Sequence, residues 1–351
     1  MKLRLFRPLA ALIFAFPLLA ANAVAQSSAT WTVTGPWGAD SYARGGDFNG
    51  DGKTDIASPT GATAHMKLNT GSGFTSETWI VDGGATGWGQ NQDVLIGDFN
   101  CDHRDEFVIV RQGNAANIDI KFGDQFAHTF TTVTWPIVNL PIGVPAIEPM
   151  WGSAGFVRVG DFDGDGCKDD IVTPGVQGTS SHGHVMVGKR QQFGLGTSEF
   201  EFAESTMNSS WGTTPWVLVE DYNNDGRDDV ASANGGNVYM NLATAPFLSG
   251  GKLFLHFTSA VWPVSGSWGT TNYAAAGTPS SGAGYIMSPK TGTTNIYLKT
   301  PSGSSSFNAS TWTTNSTWGQ PQWTFSGDFD GDGQRDDFAS ANGGNVYMKF
   351  Q

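Results

Sequence analysis

Five short acidic loops recur along the chain in one format, and this format constrains both the ion chemistry and the architecture. The first reads Asp47-Phe48-Asn49-Gly50-Asp51-Gly52-Lys53-Thr54-Asp55; the others run from Asp98 to Glu106, Asp161 to Asp170, Asp221 to Asp229 and Asp328 to Asp337. Side-chain oxygens at positions 1, 3, 5 and 9, with a backbone carbonyl at position 7, form the shell that a hard divalent cation prefers, and calcium fits best. The expected ligands are Asp47, Asn49, Asp51 and Asp55 with the carbonyl of Lys53, and Asp98, Asn100, Asp102 and Glu106 with that of Arg104. Asp221, Asn223, Asp225 and Asp229 with Arg227 follow the same rule. In the third and fifth loops Asp161, Asp163 and Asp165 join Cys167, and Asp328, Asp330 and Asp332 join Gln334. There the last ligand is either Asp169 or Asp170, and either Asp336 or Asp337. About five calcium ions are expected, in a stabilising role.

Position 6 turns the chain sharply around the ion and carries Gly52, Gly166, Gly226 or Gly333. The second loop has His103 there and Cys101 two residues earlier, and is expected to bind most weakly. Three or four carboxylates within nine residues repel one another unless a cation offsets them. The five loops hold 21 of the 32 acidic residues, and none lies between Val230 and Gly327. The net charge of -13 is therefore a property of the loops. With only 19 Lys and Arg residues, a nucleic-acid partner is not expected.

Lys2, Arg4 and Arg7 precede an apolar run from Leu9 to Ala21 and a small-residue site at Ala23-Val24-Ala25. Residues 1–25 thus read as a secretory signal peptide, with the exported chain starting near Gln26 and containing no membrane span. In an oxidising compartment Cys101 and Cys167 either pair or remain as two partly buried thiols.

Trp-Gly pairs begin at Trp37, Trp88, Trp151, Trp211, Trp268 and Trp318, dividing residues 26–351 into six repeats of 50 to 63 residues. Each repeat carries four short apolar runs joined by Gly-rich turns, and the acidic loop falls between the first and second. Four strands at this period predict a propeller blade, so the fold expected is all-β, a single six-bladed β-propeller. Thr30-Trp31-Thr32-Val33 matches a fourth run, while the chain stops after a third run, so the N-terminal strand is expected to complete the last blade. The fifth repeat has Gly277-Thr278-Pro279-Ser280-Ser281-Gly282-Ala283-Gly284 in place of an acidic loop and is expected to bind no cation.

The segments Gly46-Asp47-Phe48-Asn49-Gly50-Asp51-Gly52-Lys53-Thr54-Asp55 and Gly327-Asp328-Phe329-Asp330-Gly331-Asp332-Gly333 resemble the calcium-loop motif of the FG-GAP/VCBS repeat family. Similar repeats build the propeller heads of integrin alpha subunits and of certain secreted fungal lectins. The resemblance implies a calcium-stabilised propeller that binds either glycans or an extracellular protein. The apolar-Gly-Ala-Pro segment that names the family is replaced by Ser58-Pro59-Thr60-Gly61 or Ser232-Ala233-Asn234-Gly235.

Blade geometry puts the Trp-Gly pairs and the Asn-Gly-Gly-Asn turns on the face opposite the acidic loops. The six Trp residues, with Asn117, Asn234, Asn237, Asn295, Asn342 and Asn345, are candidate ligand-binding residues, because aromatic faces beside amides suit sugars. The competing reading packs the Trp residues between blades and leaves the Asn residues to satisfy tight turns. No nucleophile elbow or His-Glu-x-x-His pair is present, so a binding protein is expected ahead of a polysaccharide lyase or hydrolase.

Overall fold

The computed structural model describes residues 27–35, 43–82, 94–109, 117–139, 157–173, 184–189, 198–205, 207, 217–234, 236–266, 268, 274–279, 282–290, 293–313, 324–342 and 344–351. The proposed leader at 1–25 lies outside them. Among the described residues all regular structure is strand, and no helix is long and apolar enough to cross a membrane.

The first strand among the described residues is β1 (Ser27–Thr32), and six antiparallel units follow, each built in sequence order. The first holds β2 (Arg44–Gly46), β3 (Asp55–Thr60), β4 (Thr63–Asn69) and β5 (Phe74–Val81). The second holds β6 (Val94–Gly97), β7 (Glu106–Ile109), β8 (Asn117–Asp124) and β9 (Thr129–Val138). In the third are β10 (Arg158–Gly160), β11 (Asp170–Thr173), β12 (His184–Lys189) and β13 (Glu199–Glu204). The fourth has β14 (Leu218–Glu220), β15 (Asp229–Asn234), β16 (Asn237–Ala243) and β19 (Phe257–Pro263); between β16 and β19 the chain makes a hairpin of β17 (Phe247–Ser249) and β18 (Lys252–Phe254), whose β18 pairs with β13 of the third unit. Among the described residues no other unit carries such a hairpin between its third and fourth strands. The fifth unit comprises β20 (Ala275–Gly277), β21 (Tyr285–Pro289), β22 (Asn295–Pro301) and β23 (Phe307–Thr313). In the sixth, β24 (Thr324–Gly327), β25 (Asp337–Asn342) and β26 (Asn345–Phe350) accept β1 as their fourth strand. The register runs from Ser27 opposite Phe350 to Thr32 opposite Asn345.

These sheets are buried on both faces, which explains second strands such as Glu106–Ile109 and Asp170–Thr173 that are buried at every residue. Each hydrophobic cluster joins one sheet to the next: Phe48, Ala64 and Trp79 meet Phe107 and Phe130, and Ile118 and Trp135 meet Ile171 and Met186. The last sheet joins the first in the same way, Phe329, Ala339 and Val346 packing with Ala43 and Ile56. Fourth-strand Trp79, Trp135, Trp262 and Trp312 are buried anchors of these clusters, each removing on the order of 150–250 Å² from water. The first strands lie side by side in the order β2, β6, β10, β14, β20, β24, and β24 lies beside β2. They surround a cavity of about 550 Å³.

Candidate metal centres

The acidic loops connect the first and second strands of five sheets. Their shape is set by residues in the left-handed region: Gly50 and Gly52 have φ of 76° and 84°, Gly164 and Gly166 79° and 92°, Gly331 and Gly333 81° and 87°. Loop two adopts the same shape with Cys101 at 59° and His103 at 67°, and loop four does so with Asn224 at 59°. The first carboxylate of each loop gathers the backbone beneath it. Asp47 Oδ1 accepts from the Gly50 N–H at 2.7 Å and Oδ2 from the Gly52 N–H at 2.8 Å. Asp98, Asp161, Asp221 and Asp328 act alike on His103, Gly166, Gly226 and Gly333.

Position 3 accepts from the N–H of position 5, as Asn49 does from Asp51 at 2.9 Å and Asp163 from Asp165 at 3.0 Å. Position 5 accepts in turn from position 7, tying Lys53, Arg104, Cys167, Arg227 and Gln334 to Asp51, Asp102, Asp165, Asp225 and Asp332. This ladder curls the side-chain oxygens and the position-7 backbone around one centre.

Strand register identifies the last carboxylate. Gly46 lies opposite Asp55, Gly97 opposite Glu106 and Glu220 opposite Asp229. The same register puts Gly160 opposite Asp170 and Gly327 opposite Asp337. Asp55 bridges the Phe48 and Asn69 N–H groups, and Asp170 bridges those of Phe162 and Gly188. Asp337 bridges Phe329 and Gln351. Of the alternatives left by the sequence, Asp170 and Asp337 therefore face the loop centre. Asp169 and Asp336 stand one residue outside that register.

Oxygens of Asp161, Asp163 and Asp170 all lie within 4.8 Å of one another, as do those of Asp328, Asp330 and Asp337, close enough to hold one metal ion. Without a cation, burial above all, aided by neighbouring carboxylates, pushes Asp55 up to about 8, Glu106 to about 9, Asp229 to about 8 and Asp337 to about 7. Asp170 is raised for the same reason. Such clusters of buried acids fit a hard cation, which supplies the missing counter-charge. In the fifth sheet Tyr285 takes this register, opposite Gly277, and its hydroxyl donates to the Asp336 carbonyl at 2.7 Å.

Neighbouring sheets are joined at these loops. The Asp47 N–H donates to the Asp105 carboxylate and the Asp105 N–H to the Asp47 carbonyl, both at 2.7 Å. Asp161 pairs with Asp228 in the same manner, and Asp328 pairs with Thr54 through its hydroxyl and backbone. Gly284 donates to Asp221, and Thr278 to Arg335. At the second-to-third junction Cys101 and Cys167 form a disulfide with a Cα separation of 5.7 Å. The loop residues facing the next sheet, including Asp105, Lys168, Asp228 and Arg335, were not singled out from the sequence. The visible signal was charge at position 8 of successive loops.

On the opposite face, Asn117, Asn237, Asn295 and Asn345 open the third strands and are half-buried. Asn234 and Asn342 lie opposite Asn237 and Asn345 across the turns. Trp268 packs against the cluster of Tyr222, Val238 and Trp262, and the Lys299 ammonium stands 5.1 Å from its ring centroid. For this residue packing between sheets prevails. Trp37, Trp88, Trp151, Trp211 and Trp318 lie outside the described residues.

Residues 47–109, from the first acidic loop through β7, match one family. This segment is similar to the FG-GAP-like repeat. The matched segment thus spans the first acidic loop, the last three strands of the first sheet and the first two strands of the next. No curated protein matches this chain significantly. Among solved structures, the Photorhabdus luminescens Tc holotoxin pore carrying the TccC3-D651A mutation is similar, at 13% identity and a TM-score of 0.56. The match covers 92% of this chain and 14% of that one, and at this identity it concerns the fold alone.

Proposed function

We propose that this chain is an exported, calcium-stabilised six-bladed β-propeller that serves as a recognition module, with glycans as its ligands. Closure of the ring is supported by the adjacency of β24 to β2 and by the junction of Thr54 with Asp328. Calcium is supported by the oxygen-only donor sets and the left-handed turn at position 6. Export is the reading of the leader-like residues 1–25.

The observation that carries the recognition role is a repeated one. Asn117, Asn237, Asn295 and Asn345 stand half-exposed at the same position of four sheets, on the face away from the acidic loops. Amides repeated around one face offer several equivalent donor and acceptor pairs for sugar hydroxyls, and multivalency then strengthens weak single sites. With Trp268 in the packing, the amides are the better-supported part of the candidate surface.

A second reading, a protein-binding module, draws on the hairpin of β17 and β18. Phe247 and Leu248 are 45% and 72% exposed there, and Phe247 stacks on Phe254 at 5.3 Å. A glycan array on calcium-loaded protein separates the two. Sugar binding that is lost in a combined Asn237→Ala and Asn345→Ala variant supports the first reading. Silence across the array, with protein capture that depends on Phe247, supports the second.

A further inference from the structure

Positions 3 and 7 of the acidic loops vary together. Loops one, two and four carry Asn at position 3 and a basic residue at position 7: Asn49 with Lys53, Asn100 with Arg104 and Asn223 with Arg227. Loops three and five carry Asp at position 3 and an uncharged residue at position 7: Asp163 with Cys167 and Asp330 with Gln334. At the expected ligand positions the first kind of loop therefore offers three carboxylates beside its own cation. The second kind offers four carboxylates, and its position 7 adds no charge.

Each basic residue folds back onto the position-5 carboxylate, itself an expected metal ligand. Lys53 Nζ lies 3.2 Å from Asp51 Oδ2, and Arg227 Nη2 lies 2.7 Å from Asp225 Oδ2. Arg104 donates to Asp102 Oδ2 from Nε at 3.2 Å and from Nη2 as well. In loop five a neutral amide takes this place, Gln334 Nε2 donating to Asp332 Oδ2 at 2.9 Å. The stem of each basic side chain rests on the preceding loop. A Cβ on Gly50 would come within 2.8 Å of Arg104, one on Gly164 within 2.9 Å of Arg227 and one on Gly331 within 3.2 Å of Lys53. Packing thus holds each cation over the carboxylate of its own loop.

We propose, on the calcium reading given above, that the five loops form two classes of cation site: loops three and five retain calcium as structural sites, whereas loops one, two and four, each opposed by its own lysine or arginine, exchange it. Affinity in oxygen-only sites is tuned by ligand charge count. Asn in place of Asp at position 3 removes one negative charge, and the resident cation offsets another at a distance well inside the screening length of about 8–10 Å. The oxygens of Asp161, Asp163 and Asp170, and those of Asp328, Asp330 and Asp337, already converge within 4.8 Å. Loops three and five belong to the third and sixth sheets, which stand opposite each other in the cyclic order of the first strands. Two opposed points stay pinned while the remaining loops load and empty with the calcium supply.

Equilibrium dialysis of the full chain against a calcium series, with bound calcium counted by elemental analysis, tests this. Two ions per chain are expected to bind at a free calcium concentration at least about tenfold below that which fills the other three. Lys53→Gln, Arg104→Gln and Arg227→Gln should each tighten one of the weaker ions by about threefold. Gln334→Lys should reduce the tightly held ions from two to one. Five ions of a single affinity, or weaker ions that none of the three charge removals tightens, overturn the proposal while leaving the calcium reading intact. So does a folded Gln334→Lys variant that keeps two tight ions. Should a variant fail to fold, the count on the wild-type chain decides alone. Absence of bound calcium at every concentration removes the calcium reading and the two classes together.

Discussion

The Asp47 N–H and the Asp105 carboxylate are 2.7 Å apart and belong to different sheets. The same two residues are joined a second time through the Asp105 N–H and the Asp47 carbonyl. Acidic loop and sheet junction are therefore one structure, and damage to either is transmitted to the other. Replacing Asp105 by Ala leaves a backbone donor without its acceptor and is expected to cost about 1–3 kcal/mol. It should also weaken calcium binding at the first loop. Urea midpoints and calcium titrations check both effects.

Cation removal should reverse the pH dependence of stability. Asp55, Glu106 and Asp229 have folded values of about 8, about 9 and about 8, raised chiefly by burial, against ~4 in an unfolded chain. A raised carboxyl pKa stabilises the fold below the unfolded value, and that contribution is lost as pH climbs through the folded value. Chelator-treated protein should therefore lose stability steadily between about pH 5 and pH 9, whereas calcium-loaded protein should not. Parallel pH curves for the two states would refute the assignment.

The disulfide between Cys101 and Cys167 closes a separation of 66 residues, for which chain entropy predicts roughly 4 kcal/mol. A Cys101→Ala, Cys167→Ala variant should unfold at correspondingly lower denaturant. Loop two should lose calcium affinity more than loop one, because Cys101 holds φ 59° where loop one has Gly50. Comparing the two loops by NMR titration measures the difference.

Gly97 admits no side chain. A Cβ there would press on the Lys168 carbonyl and lie 2.7 Å from Val159 and 2.9 Å from Phe99. Gly97→Ala should destabilise by at least ~1–3 kcal/mol through overpacking at the second-to-third junction, visible as a fall in melting temperature.

Trp268→Ala should lower stability yet leave glycan affinity unchanged, because its ring rests on the core and beside Lys299. Removal of part-buried aromatic area costs on the order of 1–3 kcal/mol. A selective loss of sugar binding in a variant as stable as wild type would restore Trp268 to the ligand surface.

The acidic loops, the four-strand period and the return of β1 to β26 were legible because each depends on a local motif or on its spacing. The choice of Asp170 over Asp169 was not, since one inserted residue is absorbed within the loop and only the pairing of Gly160 with Asp170 reveals the register. The contacts of Asp105, Lys168 and Asp228 with neighbouring sheets were hidden for a related reason. Their partners lie about one whole repeat away, and no periodicity within a strand encodes them. Lys67, Lys299 and Lys349 are a comparable case: the strand pattern marks them as ordinary polar positions, yet their buried ammonium groups donate to the carbonyls of Thr34, Ser265 and Thr313 near the end of the preceding sheet.

Pairing of β1 with β26 also has a kinetic consequence. Thr32 and Asn345 are 313 residues apart, so the final unit stays one strand short until nearly the entire polypeptide has been made and collapsed, which favours slow folding. During that interval the bare edge of β26 accepts β1 from any molecule carrying it. At high concentration, refolding should therefore yield strand-exchanged dimers alongside monomers.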